Sequence, residues 1–223
     1  MPDGQYSFYL HSDDRTDIAA MATISTISQP LRGEFIRTAA TAGAVVFQVD
    51  ARLPALIPVF FAGQLSAVRL CAVMALVSGT WSSLTGLPDE PENGEAALPV
   101  SPETEYQRRR YTLTLQNGRS GERVESVLTE ASSRLRGDLL RNLIITGLAL
   151  HTTAPELPRL RASMPVPPTS VSELQALVQQ MAGTAGVSRA AAAVPDTPAT
   201  SAVPVSGSDT REIKKNMRRA FGD

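Results

Sequence analysis

LRGEFIRTAATAG (Leu31–Gly43) returns 104 residues later as LRGDLLRNLIITG (Leu135–Gly147), and the fold follows from that recurrence. The same offset lays Leu53-Pro54-Ala55-Leu56 over Leu157-Pro158-Arg159-Leu160. Upstream, after one insertion, QYSFYL (Gln5–Leu10) matches RYTLTL (Arg110–Leu115). The repeating unit is therefore a short alternating segment followed by helix-like segments. In the second copy Tyr111, Leu113 and Leu115 alternate with Arg110, Thr112 and Thr114, the period of a strand with one buried face. Val124, Leu128 and Ala131 mark a first helical stripe, and Leu139, Leu140, Leu143, Ile144, Gly147 and Leu148 a second. Ser133 suits the N-cap of that second helix, and its counterpart Gln29 precedes Pro30, a residue favoured in the first helical turn. After Pro155 and Pro158 a further helical segment is expected to run to Met181. Glycine costs about 1 kcal/mol in a helix relative to alanine, so its recurrence at Gly43 and Gly147 predicts close helix approach there.

One such unit is too small to bury a core, and a lone strand has two open edges. Two units must pair. The expected fold is mainly α with a short antiparallel β ribbon: tandem ribbon-helix-helix units in which strands 6–10 and 111–115 pair within one chain as a pseudo-dimer. The rival is like-to-like pairing between chains, with the first copy a dimerisation or array-forming module. The boundaries read as 1–78 for the first unit, 79–106 for a connector, 107–183 for the second unit, 184–208 for a disordered linker, and 209–223 for a tail helix.

Charge is sorted along the chain. Residues 88–105 carry only acids (Asp89, Glu90, Glu92, Glu95, Glu103 and Glu105), whereas residues 106–164 hold ten Arg against five acids. The tail then sets Ile213, Met217 and Phe221 at four-residue spacing among Lys214, Lys215, Arg218 and Arg219, a basic amphipathic helix suited to a protein groove. Residues 184–208 are Ala, Pro, Ser, Thr and Val with few large side chains, a composition that does not offset ordering entropy. The apolar stretch from Leu53 to Val77 is interrupted by Pro54, Pro58, Gln64 and Arg69, which argues against a membrane span. The single cysteine, Cys71, and the lack of a basic-then-apolar start point to a reducing cytoplasm. Cys71 and Trp81 read as packing residues, and His151 as a surface or helix-end residue. There is no phosphate loop, Cys/His cluster or histidine beside a nucleophile, so neither an enzyme nor a metal or cofactor is expected.

A two-stranded ribbon fits the DNA major groove, where its outer face meets base edges. On the second strand that face is Arg110, Thr112, Thr114 and Gln116, continuing the run Arg108, Arg109, Arg110; on the first it is Gln5, Ser7, Tyr9 and His11. The starts of the second helices, with Ser133, Arg134 and Arg136 and the equivalent Arg32, are candidates for phosphate contact through free amides and guanidinium groups.

The strand RRRYTLTL (Arg108–Leu115), the helix LLRNLIITGLAL (Leu139–Leu150), PELPRLRASM (Pro155–Met164) and the ending IKKNMRRAF (Ile213–Phe221) resemble the ParR-type adaptors of actin-based plasmid partition, the StbB group. That resemblance implies ribbon-helix-helix binding to tandem double-stranded DNA repeats, self-association into an array, and a location on plasmid DNA in the bacterial cytoplasm. It also implies that Ile213, Lys214, Lys215, Met217, Arg218 and Phe221 face a filament of the actin-like ATPase ParM. Members of that family usually have a single copy of the fold and dimerise; this chain departs from them in having two. The alternatives are a ribbon-helix-helix repressor or antitoxin, a relaxosome accessory protein, and a structural oligomeriser that does not bind DNA.

Overall fold

The computed structural model describes residues 4–80 and 107–191, with side chains through residue 183. It divides into a unit ending at Arg189 and a second unit from Ala190 onward, and the fold is that of the first. The acidic connector, Trp81, most of the expected linker and the tail residues Ile213, Lys214, Lys215, Met217, Arg218 and Phe221 lie outside the described residues.

The first copy runs β1 (Gln5–His11), α1 (Arg15–Ser25), α2 (Gln29–Val49), a short α3 (Leu53–Leu56) continued by a 3-10 turn (Ile57–Phe60), and α4 (Ala67–Ser78). The second runs β2 (Arg108–Thr114), α5 (Arg119–Glu130), α6 (Arg136–Thr153), α7 (Leu157–Ser163) and α8 (Val171–Ala191). The two strands pair antiparallel within the chain, Gln5 opposite Thr114 through His11 opposite Arg108. Strand-end bonds continue the ribbon, from the Ser12 amide to the Gln107 carbonyl (3.0 Å) and from the Leu115 amide to the Gly4 carbonyl (3.4 Å). The fold is thus mainly helical, with the two copies joined as a pseudo-dimer.

Alternation sets what the ribbon buries. Phe8, Leu10, Leu113 and Leu115 point into the core, and Phe8 stacks on Tyr111 with ring centroids 5.2 Å apart. Below them, Ala20 and Ile24 of α1 and Val124, Val127 and Leu128 of α5 close the sides of one continuous cluster. Through its centre run α2 and α6, which meet at the two repeated glycines. A Cβ placed on Gly43 would press on the Leu143 carbonyl, 2.7 Å from Leu143 Cα, and one on Gly147 on the Ala39 carbonyl, 2.5 Å from Ala39 Cα. Leu143 and Ala39 are themselves equivalent positions of the two copies, so one pseudo-twofold axis relates both contacts. The close approach expected from the sequence is present, and backbone meets backbone.

Three local expectations need correction. The second helices are entered through matched turns, Leu31 amide to Ser28 carbonyl (3.0 Å) and Leu135 amide to Ser132 carbonyl (2.9 Å), yet α2 begins at Gln29 and α6 only at Arg136. Ser133 therefore lies exposed in the turn and caps nothing; Leu135 holds the N-cap position. The single helix expected up to Met181 is two, because Pro165, Pro167 and Pro168 break it between α7 and α8. Finally, α8 continues to Ala191, past the boundary expected at 183. Ala182, Ala185, Ala190 and Ala191 are strong helix formers.

Arg161 departs from the pattern of the first copy. It is among the largest fully buried side chains, at the position that Ile57 fills in the first copy. One Nη2 donates to the Leu174 carbonyl at 3.4 Å, while Nε and Nη1 meet no acceptor among the described residues. Burial lowers its pKa to about 10. Removing an unpaired buried charge stabilises, so Arg161→Ile is expected to raise stability by about 2 kcal/mol, a melting shift of about 4–8 °C for a domain of this size. The penalty is fully present below pH 10 and fades as pH rises from there toward the ordinary arginine range, so the gain over wild type measured by thermal melting should shrink in strong alkali. Cys71 is buried, and burial pushes its thiol pKa up. Among the described residues no helix is long and apolar enough to cross a membrane.

Candidate nucleic-acid interface

Because side chains alternate along a strand, the register fixes the composition of the outer face. Its cross-strand pairs are Gln5 with Thr114, Ser7 with Thr112, Tyr9 with Arg110 and His11 with Arg108. All eight are partly or fully exposed, and Gln116 continues the row beyond the end of β2. Gln5, Ser7, Tyr9, His11, Arg110, Thr112, Thr114 and Gln116 thus form one outward row. The arginine run divides. Arg108 and Arg110 share the outer face, but Arg109 has the parity of Tyr111 and Leu113, and its guanidinium lies 5.3 Å from the Tyr111 ring centroid. Arg109 thus belongs to the flank of the ribbon.

The two outward arginines are held in place. Both Nε (3.2 Å) and Nη2 (2.9 Å) of Arg110 donate to the Ser7 hydroxyl across the strands. The Arg108 guanidinium lies 3.5 Å over the Tyr9 ring, a cation–π contact. A guanidinium has five N–H donors, so Arg110 keeps three for a ligand in front of the ribbon.

At the flanks, sequence equivalence becomes structural equivalence. Arg32 Nε donates to the Ile27 carbonyl (2.8 Å) and its Nη2 to the Ser25 carbonyl (3.2 Å), latching the end of α1. Arg136 Nε does the same to the Ala131 carbonyl (3.2 Å) at the end of α5. Both arginines therefore serve the turn before the second helix, with donors left over. Arg134 is exposed. The two half-buried tyrosines on the inner side of the ribbon, Tyr6 and Tyr111, each feel an arginine of the other copy: burial raises the Tyr6 pKa, Glu125 adds to this, and Arg136 opposes it. Burial likewise raises Tyr111, against Arg109 and Arg32. Exposed Leu31 and Leu135 precede the two latch arginines at equivalent positions.

The residues that sequence reasoning missed lie at one edge of this face. Asp17, fully buried on α1, accepts from the His11 amide at 2.9 Å and from Arg141 Nε at 2.6 Å, and Arg141 Nη2 reaches Asp14 at 3.3 Å. Burial raises the Asp17 pKa more than the His11 amide and Arg141 pull it down. This links α6 of the second copy to the end of β1. An ordinary spacing of Asp138 to Arg141 hid it, since Arg141 reads as a helix-surface partner of its own neighbour. Among the described residues no group of three or more His, Cys, Asp or Glu is placed to hold a metal.

A family model described as "Plasmid stability protein" matches the chain twice, over residues 4–74 and 109–178. Each match begins at a ribbon strand and ends inside α4 or α8, so the unit it describes is one whole copy. No curated protein and no solved structure matches the chain.

Proposed function

The chain belongs to the plasmid stability protein family, with its unit duplicated, and from that premise we propose that it is a segregation adaptor that binds tandem double-stranded DNA repeats through the ribbon. The observation that carries this reading is the outer face itself. Two antiparallel strands present Arg108, Arg110, Thr112 and Thr114 beside Gln5, Ser7, Tyr9 and His11, a row of donors and acceptors of the width and chemistry that a major groove accepts. Leftover donors of Arg32 and Arg136, with exposed Arg134, stand where phosphates on either side would fall. The basic tail, with Ile213, Lys214, Lys215, Met217, Arg218 and Phe221, is the part that would engage an actin-like filament. A DNA array would present many tails together and raise their effective concentration.

The test uses the full chain and duplexes from its own upstream region. Replacing Arg108, Arg110 and Thr112 with Ala is expected to weaken binding by about 100-fold and to relax the sequence preference at the bases they face. Unchanged affinity would leave only a structural oligomeriser. Deleting residues 209–223 should preserve DNA affinity and abolish co-sedimentation of bound DNA with filaments; inhibition of a toxin lost on that deletion would favour an antitoxin.

A further inference from the structure

The two halves of the ribbon are chemically different at equivalent positions, and the difference has a meaning on DNA. The register puts Ser7 opposite Thr112, and the match of Gln5–Leu10 to Arg110–Leu115 makes those two residues equivalents. The pseudo-twofold axis therefore passes between them. Rotation about it carries Arg110 onto Gln5 and Tyr9 onto Thr114, so the pair Tyr9–Arg110 in one half stands where Gln5–Thr114 stands in the other.

We infer, resting on the DNA reading above, that the ribbon recognises an asymmetric site, with guanine under Arg110 and adenine under Gln5 at the equivalent position of the other half. A guanidinium edge matches the two acceptors of guanine, O6 and N7, whereas a carboxamide matches the donor and acceptor of adenine, N6 and N7. The arginine half is pre-aimed: Ser7, on the axis, accepts from Nε and Nη2 of Arg110 and leaves the two outward N–H groups as the free edge. Arg108, stacked on Tyr9, extends the same half. Ser7 and Tyr9 are positioning residues. The molecule thus has a direction on DNA, and successive copies on direct repeats all point the same way.

The experiment is selection from a randomised duplex pool by the full chain, followed by affinity measurements on the enriched duplex. The expected site is not a palindrome, and changing its guanine to 7-deazaguanine weakens binding by about tenfold. Gln5→Arg, whose new guanidinium has the Thr112 hydroxyl beside it as Arg110 has Ser7, should convert the adenine preference to guanine and symmetrise the site. Ser7→Ala should lower discrimination at the guanine, with Ser7→Thr restoring it. A palindromic site from the wild-type chain, or an unchanged adenine preference in Gln5→Arg, overturns the inference while leaving DNA binding intact. Failure to bind any duplex at low salt overturns the DNA reading, and this inference with it.

Discussion

Gly147→Ala will destabilise the protein by about 3 kcal/mol, although alanine is the better helix former by about 1 kcal/mol. The added methyl would overlap the Ala39 carbonyl and approach Ala39 Cα to 2.5 Å, and backbone does not swing aside as a flexible side chain does. Relief requires α2 and α6 to separate. These are the central helices, so separation loosens contacts of Ile36, Ala40, Leu140 and Leu143 at once. Gly43→Ala should cost a similar amount by the mirror contact with Leu143. The double substitution should cost clearly less than the sum, because one outward shift accommodates both methyls. Gly33→Ala is the control: its Cβ would meet only Arg37 Nη1, at 3.8 Å, and the change should stabilise by about 0.5–1 kcal/mol. Urea unfolding of the four chains measures all of this, and an additive double mutant would refute the shared contact.

Asp17→Ala should cost about 3 kcal/mol by the same measurement, since it leaves the His11 amide and the Arg141 guanidinium without their buried acceptor. The paired charge is not itself a large net gain. Burial raises the Asp17 pKa above its ordinary value of 3.8 despite both partners, so the native state favours the protonated form more than the unfolded chain does. Between the ordinary value and the raised one the native state holds the extra proton, and stability falls as pH rises across that interval. Asp17→Asn is expected to remove this slope and to cost less than Asp17→Ala, because the amide oxygen still accepts from His11. A wild-type profile that rises there instead would contradict the dominance of burial.

The repeat makes most of the architecture legible. A strand, helices and a glycine at equivalent places in two copies imply pairing, and the alternation of Arg110, Thr112 and Thr114 with Tyr111 and Leu113 fixes which residues face outward. Arg109 escapes that reading because a run of three like residues hides the period of two that divides it. Arg32 and Arg136 look like free cations in the sequence, whereas short-range carbonyls at the ends of α1 and α5 claim them first. Individual long-range side-chain pairs are less legible: nothing in the spacing of Asp17 and Arg141 announces that a residue of α1 meets one of α6, nor does the sequence alone announce that the exact register sets Arg110 against the Ser7 hydroxyl.

That register has a cost in time. Every rung of the ladder joins residues 5–11 to residues 108–114, so the first strand leaves the ribosome long before its partner exists. Distant pairing slows folding, and the half-built first copy exposes Phe8 and Leu10 meanwhile. On a crowded polysome the nearest complementary strand belongs to the neighbouring nascent chain, and exchange of halves is the error this topology invites. Covalent fusion of the two copies answers it, holding the correct mate close by tether at any dilution of the finished protein.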